Sequence, residues 1–261
     1  MEEPALVVHF LGVAACTPEP GGNTASLALG RRLVVDAGWY LTDRLMRVGI
    51  DPFEVEAFFL THCHHDHILG LPQLIYYWGI NAQRRPSRPL RVFGPKGEVE
   101  RVVDDALCFL QFERYPELNF EIETRGLEPG ESLSVADFEV STCASIHSVP
   151  GLCYRLETGG VAVAVSGDTA LNAELVELAR GADLLVHEAS HGGRAAKELD
   201  IWAHSGSPDA AEVARVAGVR RLALVHCEAS LRHEALEAAR QVFEDTFLPE
   251  DCQAVELCPH H

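Results

Sequence analysis

The stretch Thr61-His62-Cys63-His64-His65-Asp66-His67 places four strong metal ligands within six positions, in the spacing His-x-His-x-Asp-His. It comes directly after the apolar run Ala57-Phe58-Phe59-Leu60, which is typical of a buried strand that ends where the polar residues begin. Imidazole and carboxylate are ligands that zinc takes readily. Because ligands on so short a loop point in diverging directions, the pattern favours two ions about 3.5–4 Å apart. The alternative is a histidine-rich surface loop, or a single adventitious ion site.

Three more candidate ligands follow other strand-like runs. The candidates are His147, Asp168 and His226, and the runs before them are Phe138–Thr142, Val161–Val165 and Leu222–Val225. Residues that close strands can meet at one edge of a sheet, but spacing alone does not prove that these three converge. A lone histidine in such a position is more often a core or surface residue than a ligand.

The rest of the chain alternates between strand and helix patterns. Ser26–Leu29 and Leu33–Val35 are predicted to form a hairpin, and Leu71–Trp78 a helix. Ser207-Pro208 is typical of a helix start with proline in the first turn. A long helix is predicted from Leu231 to Phe247. No linker or compositional break divides the chain, so residues 1–261 are expected to form one domain.

The string Leu60-Thr61-His62-Cys63-His64-His65-Asp66-His67-Ile68-Leu69-Gly70-Leu71-Pro72 resembles the metal-binding signature of the metallo-β-lactamase superfamily. It is most similar to the branch containing tRNA 3′-end processing endonucleases (tRNase Z) and related phosphodiesterases. The resemblance continues at later motifs and covers nearly the whole chain. It implies an α/β fold of the superfamily type, a four-layer αβ/βα sandwich.

The resemblance also implies two divalent ions joined by a bridging carboxylate. One ion would be held by His62, His64 and His147, the other by Asp66, His67 and His226, with Asp168 between them. Zinc is the expected metal, with manganese or iron as alternatives. Asp36, which follows Leu33–Val35, matches a position that braces a ligating histidine from behind.

Two further motifs of the branch supply a proton donor. Glu188 lies in His187-Glu188-Ala189-Ser190 and His204 in Ala203-His204-Ser205. In the branch the histidine protonates the leaving group and the glutamate orients it, and a carboxylate partner favours the protonated form of histidine. Asp66 would orient the attacking hydroxide or accept its proton. The alternative is a surface histidine and a surface glutamate.

The expected function is therefore a dinuclear metal-dependent hydrolase, namely a phosphodiesterase that acts on a small or cyclic phosphate ester through a metal-bound hydroxide. Three alternatives stay open. The same metal pair could hydrolyse a carboxylic ester, thioester or lactone, or the chain could be a tRNA 3′-end endonuclease. The third alternative is a non-enzymatic, metal-dependent sensor or carrier.

Charge and two departures from the branch point away from nucleic acid. The net charge is −18 with histidine neutral, and an acidic surface repels polyanions. The first loop, Thr17–Asn23, has no Lys or Arg where the branch is basic. Only 20 residues separate His147 from Asp168, which leaves no room for the long RNA-gripping arm of many branch members. The expected partner is thus a small-molecule substrate, and nucleic acid is not expected.

Other features place the chain among ordinary globular proteins. It is 47 % apolar and 23 % charged, and no apolar stretch reaches the length of a membrane span. The acidic start Met1–Pro4 lacks the basic region of a signal peptide, so a cytoplasmic location is expected. Eight scattered cysteines indicate free thiols. The oligomeric state stays open, a homodimer included.

One dense basic cluster consists of Arg84, Arg85, Arg88 and Arg91. It could contact a substrate phosphate, but a solvated loop is the favoured interpretation.

Overall fold

The protein is described here by a computed structural model that covers residues 6–82, 88–118, 120–196 and 202–259. Within these ranges the strands are β1 Leu6–Gly12, β2 Ser26–Leu29, β3 Leu33–Val35, β4 Ala57–Phe59, β5 Leu90–Pro95, β6 Ile122–Leu127, β7 Ser132–Val135, β8 Phe138–Ala144, β9 Leu152–Thr158, β10 Val161–Val165, β11 Leu184–Glu188, β12 Leu222–Val225, β13 Thr246–Phe247 and β14 Gln253–Leu257. The helices are α1 Leu41–Arg47, α2 His65–Ile68, α3 Gly70–Asn81, α4 Glu98–Phe109, α5 Ala173–Leu178, α6 Ser207–Ala217 and α7 Arg232–Arg240.

The strands form two seven-stranded mixed sheets. The first has the order β14-β1-β2-β3-β4-β5-β6 and the second β13-β12-β11-β10-β9-β8-β7. Their inner faces share one apolar core, in which Phe59 stacks on Phe93 at 4.8 Å between ring centroids and meets the Tyr154 ring edge-on. Burying a large apolar side chain in this way contributes about 1.5–3 kcal/mol each. The two sheets are therefore held face to face.

Helices cover the outer face of each sheet. On the first sheet, α1, α3 and α4 bury apolar side chains such as Leu45, Trp78 and Val99 against the strands. On the second sheet, α5, α6 and α7 pack through small side chains such as Ala210 and Ala214. The four-layer αβ/βα sandwich expected from the sequence is confirmed.

Parallel strands direct the site residues to one edge of the sandwich. The strands β3, β4 and β5 run parallel in the first sheet, and β10, β11 and β12 run parallel in the second. The carboxyl ends of these strands lead to Asp36, His62, Asp168 and His226. A bridge between His62 and Gly151 and a hydrogen bond from the amide of His226 to the carbonyl of Val13 tie the loops of this edge together.

Some local predictions need correction. The predicted helix from Leu231 to Phe247 is wrong, because α7 ends at Arg240 and Thr246–Phe247 forms strand β13 beside β12. Thr246 is β-branched and buried, and Phe247 packs edge-on against Phe10, so tertiary packing overrides the helical pattern. The predicted metal loop is partly helical, since His65–Ile68 forms a single turn.

Two other sequence expectations concern the chain as a whole. In the part of the chain that the structure describes, no helix combines the length and the hydropathy that a membrane crossing requires. All eight cysteines lie in described ranges and are free thiols, as predicted.

Candidate metal centre

Two clusters of potential ligands meet at the loop edge of the sandwich. Each residue offers one nitrogen or oxygen atom, and in each cluster these atoms lie within 4.8 Å of one another. The first cluster consists of His62, His64, His147 and Asp168, and the second of Asp66, His67, Asp168 and His226. The structure thus brings together all seven residues that the sequence nominated as ligands, and Asp168 belongs to both clusters.

In the first cluster, imidazole nitrogens face one another. His64 Nδ1 lies 3.2 Å from His62 Nε2 and 3.1 Å from His147 Nε2, and His62 Nε2 lies 3.6 Å from a carboxylate oxygen of Asp168. Burial is the main cause that lowers the pKa of each of these three histidines. The neutral imidazole that results is the form that binds a metal ion.

The second cluster is richer in carboxylate. Asp66 Oδ2 lies 3.0 Å from His226 Nε2 and 3.3 Å from His67 Nε2, and Asp168 lies within 3.6 Å of both histidines. Burial alone would raise the pKa of each aspartate, but the adjacent His226 and His67 outweigh it and hold both pKa values below their usual range. The two acids are therefore ionised, as ligands must be.

A second layer of side chains fixes the orientation of three histidine rings in the clusters. The Asp36 carboxylate lies 2.8 Å from His67 Nδ1, and Thr61 Oγ1 lies 3.1 Å from His62 Nδ1 and donates to Asp36. Ser190 Oγ lies 2.8 Å from His226 Nδ1. In all three cases the contact engages Nδ1 and leaves Nε2 directed into the cluster.

Sequence reasoning identified Asp36 but missed Thr61 and Ser190. Thr61 stands directly before His62 in the signature, so its position was visible in the sequence. Ser190 ends the motif His187-Glu188-Ala189-Ser190, but its partner His226 is 36 residues away. No sequence pattern joins them, because the contact arises from β11 and β12 lying side by side.

The backbone at this edge adopts conformations that L-residues rarely take. Asp36 has φ 62° and His226 φ 52°, both in the left-handed region. Gly167 also has a positive φ, and a Cβ there would lie 2.7 Å from Cβ of Thr61. The loop that carries Asp168 can therefore approach the His62 loop closely only because residue 167 is glycine.

The clusters fit divalent cations. His67 Nε2 and Asp168 Oδ1 are buried and form no hydrogen bond within the described residues. Buried polar atoms without hydrogen bonds are costly, and a cation between them would satisfy both. Imidazole nitrogen with carboxylate oxygen is a donor set that zinc takes and that manganese and iron tolerate.

We expect the Asp36→Asn substitution to weaken metal binding about 10–100-fold, because it removes the charged acceptor behind His67. Asparagine tolerates a positive φ, so the backbone should keep its conformation. Competition against a chromophoric zinc chelator measures the affinity, with exposed Asp43→Asn as the matched control. Unchanged affinity in Asp36→Asn would show that the carboxylate has no part in holding the site.

Glu188 and His204 lie against the second cluster. His204 Nδ1 is 2.9 Å from Glu188 Oε1 and 3.9 Å from a carboxylate oxygen of Asp168. Glu188 is 1 % exposed and also accepts hydrogen bonds from the amides of Thr169, Ser190 and Ser205. These bonds fix the carboxylate, so the imidazole of His204 has one preferred orientation. Together with His226, the pair also forms a third group with atoms close enough to hold an ion.

The basic cluster does not belong to this site in so far as the structure describes it. Arg84 and Arg85 lie outside the described residues. Arg88 donates to the carbonyl of Val55 and lies over the ring of Trp78, and Arg91 lies 3.6 Å from Glu123. Both described arginines therefore contact residues in and around the first sheet.

Comparisons with known proteins agree with the geometry. The family model "Beta-lactamase superfamily domain" matches residues 31–227. Ribonuclease Z from Methanothermobacter thermautotrophicus is 30 % identical, with 96 % of both chains covered, and that from Archaeoglobus fulgidus is 30 % identical with 96 % of this chain and 97 % of the relative covered. The first alignment spans 303 positions, more than the 261 residues here, so that relative carries inserted segments.

Solved structures show the same fold. The metallo-β-lactamase fold protein YhfI from Bacillus subtilis superposes with a TM-score of 0.81 at 20 % identity, covering 98 % of this chain and 100 % of that one. The short form of human tRNase Z gives a TM-score of 0.76 at 22 % identity, covering 96 % and 99 %.

The similarity to ribonuclease Z overturns the expectation that nucleic acid is not a partner. That expectation rested on net charge, on a first loop without Lys or Arg and on a missing arm, all of which describe the outer surface rather than the ligand clusters. With a family model over residues 31–227 and a relative 30 % identical along nearly the full length of both chains, the chain belongs to the β-lactamase superfamily, in the branch that contains ribonuclease Z.

Proposed function

We propose that this hydrolase is a dinuclear metal-dependent phosphodiesterase that cleaves RNA, with 3′-extended transfer RNA as its substrate. The observation that carries the proposal is the His204–Glu188 pair, which lies against the ligand clusters at 2.9 Å from imidazole nitrogen to carboxylate. Cleavage of a phosphodiester needs an acid for the leaving alkoxide, and this pair can supply it. The full-length similarity to ribonuclease Z supports RNA as the substrate class.

Each residue has a role in this proposal. His62, His64 and His147 would hold one ion, Asp66, His67 and His226 the other, and Asp168 both. When bound, two divalent cations lower the pKa of water and offset the charge on the phosphate. Zinc is the metal that this donor set suits best, and eight free cysteines suit the reducing cytoplasm.

In this proposal one side chain accepts a proton from water and another donates a proton to the leaving group. Asp66 Oδ2 lies between His226 and His67, where it can accept a proton from the attacking water. His204 Nδ1 is held by Glu188, and we assign Nε2 as the atom that donates to the leaving oxygen. The two protonation roles thus fall to different side chains, as general acid–base catalysis requires.

We expect the zinc- or manganese-loaded protein to remove the 3′ extension of a transfer RNA precursor, and to lose this activity when a chelator removes the metal. Gel analysis of the end-labelled RNA measures the cut. In the same assay His233→Ala is the matched control for His204→Ala, because His233 lies on α7 and its side chain is 86 % exposed. Turnover of bis-(p-nitrophenyl) phosphate with no cleavage of the RNA would contradict the choice of substrate.

A small or cyclic phosphodiester is the second candidate substrate. It is favoured by the short connection between His147 and Asp168, which consists of the strands β9 and β10 and a tight turn at Gly159 and Gly160. Residues 148–167, all of which the structure describes, form no extension beyond this hairpin that could grip a long RNA. Turnover of p-nitrophenyl acetate without any phosphodiester would instead favour acyl hydrolysis, and turnover of neither would favour a sensor or carrier.

A further inference from the structure

Three exposed apolar side chains lie beside residues of the metal centre. Trp202 is 53 % exposed, Leu171 52 % and Ile146 42 %. Ile146 directly precedes His147, Leu171 follows Asp168 by three residues, and Trp202 precedes His204 by two. We call these three residues the apolar rim. Single exposed apolar residues are normal on a surface, so what distinguishes these three is their position next to residues of the ligand clusters.

Ring contacts and backbone hydrogen bonds connect the apolar rim to the ligand clusters and their loops. The ring of Trp202 lies 6.0 Å from the ring of His64, with the planes at 74°. Ile146 accepts a hydrogen bond from the amide of Ala170, and its own amide donates to Thr169 Oγ1. The loops that carry Ile146 and Leu171 are therefore fixed side by side, next to the ligand clusters.

Charge leaves the chain poorly equipped to bind RNA through phosphates alone. The net charge is −18, and the rim and the ligand clusters contain no Lys or Arg. Many arginines elsewhere on the described surface pair with carboxylates, as in the pairs Arg180–Glu177 and Arg215–Glu212. Stacking of a base on an aromatic ring does not depend on charge and is sequence-tolerant.

We propose that the apolar rim is a base-stacking subsite, in which Trp202 stacks on the nucleobase next to the scissile phosphodiester and Ile146 and Leu171 border that base. This inference rests on the proposed function, because it takes the substrate to be a nucleotide chain. The ligand class is a purine or pyrimidine base attached to the reacting phosphate. Trp202 is a positioning residue, since it contacts the base and not the reacting atoms.

The test compares two phosphodiesters that share one leaving group. Thymidine 5′-(p-nitrophenyl phosphate) carries a base, and methyl p-nitrophenyl phosphate does not. Trp202→Ala should lower kcat/KM for the thymidine ester about 10-fold more than for the methyl ester, whereas Trp202→Phe should retain most activity on both. Tyr76, which is 52 % exposed on α3, provides the control Tyr76→Ala. Equal losses on the two esters, or no loss on the thymidine ester, would overturn the proposal.

A binding measurement separates this inference from the proposed function. Among the tryptophans, Trp202 is the most exposed, so AMP stacking on it should quench the protein fluorescence. Trp202→Phe should abolish most of that quenching, with metal content and melting temperature unchanged. Quenching that persists in Trp202→Phe would overturn the subsite. Failure to cut a transfer RNA precursor, with base-dependent quenching intact, would refute the proposed RNA substrate and leave the subsite standing.

Discussion

His204→Ala should lose about 10²–10⁴-fold in turnover on RNA or on an alkyl phosphodiester, and only a few-fold on bis-(p-nitrophenyl) phosphate. A simple alkoxide leaves only when it is protonated, whereas p-nitrophenolate leaves without help. His204 is not among the seven proposed ligands, so metal content should stay unchanged. A series of diesters with leaving groups of increasing pKa, run on wild type and variant, measures the effect.

Two further variants make this test specific. Glu188→Gln should show the same leaving-group dependence more mildly, because it removes the negative charge 2.9 Å from His204 but keeps one side-chain oxygen as an acceptor. His233→Ala should behave as wild type. Equal losses across the series would mean that His204 positions substrate or supports the fold, and loss of metal would make it a ligand instead.

Asp168→Ala should cost more than the loss of any single histidine. Asp168 belongs to both ligand clusters and is 3 % exposed, so its removal leaves two close cations with less compensating charge. We expect the metal affinity of the variant to fall by more than about 100-fold. This is more than the loss of a residue that only hydrogen-bonds a ligand costs. Metal content and turnover, measured beside His62→Ala, give the comparison.

The control for this variant is Asp137→Ala. Asp137 is exposed and pairs with Arg32 on the surface, so its removal should leave metal content unchanged. Retention of both metals and full activity in Asp168→Ala would remove this residue from the centre.

The sequence located the residues that gather at one edge of the sandwich better than it located the ends of some helices. Apolar runs such as Ala57–Leu60 and Leu222–Val225 locate strands that end at candidate ligands, because the polar residues that follow parallel strands lie at one edge of the sheet. Convergence itself came from the family resemblance, since nothing in the spacing joins His147 to His64. Contacts between distant segments, such as that of Ser190 with His226, depend on strand order, so no local sequence pattern predicts them.

The errors have physical causes as well. The pattern from Leu231 to Phe247 is helical throughout, yet Thr246 and Phe247 complete the second sheet because burial in β13 outweighs helix propensity. The expectation that nucleic acid is not a partner failed because the net charge describes the electrostatic field around the whole molecule. A cation pair and an aromatic side chain can act on a phosphodiester within a chain that is acidic overall.

The candidate ligands lie between positions 62 and 226 and come from both sheets. We therefore propose that residues 1–261 act as one hydrolase domain, since neither sheet alone carries a complete cluster.

Elemental analysis of protein purified without chelator tests the central claim most directly. Two ligand clusters that share Asp168 predict close to two equivalents of metal per chain, with zinc predominating. A firm value of one equivalent, unchanged after incubation with zinc or manganese, would contradict the dinuclear centre.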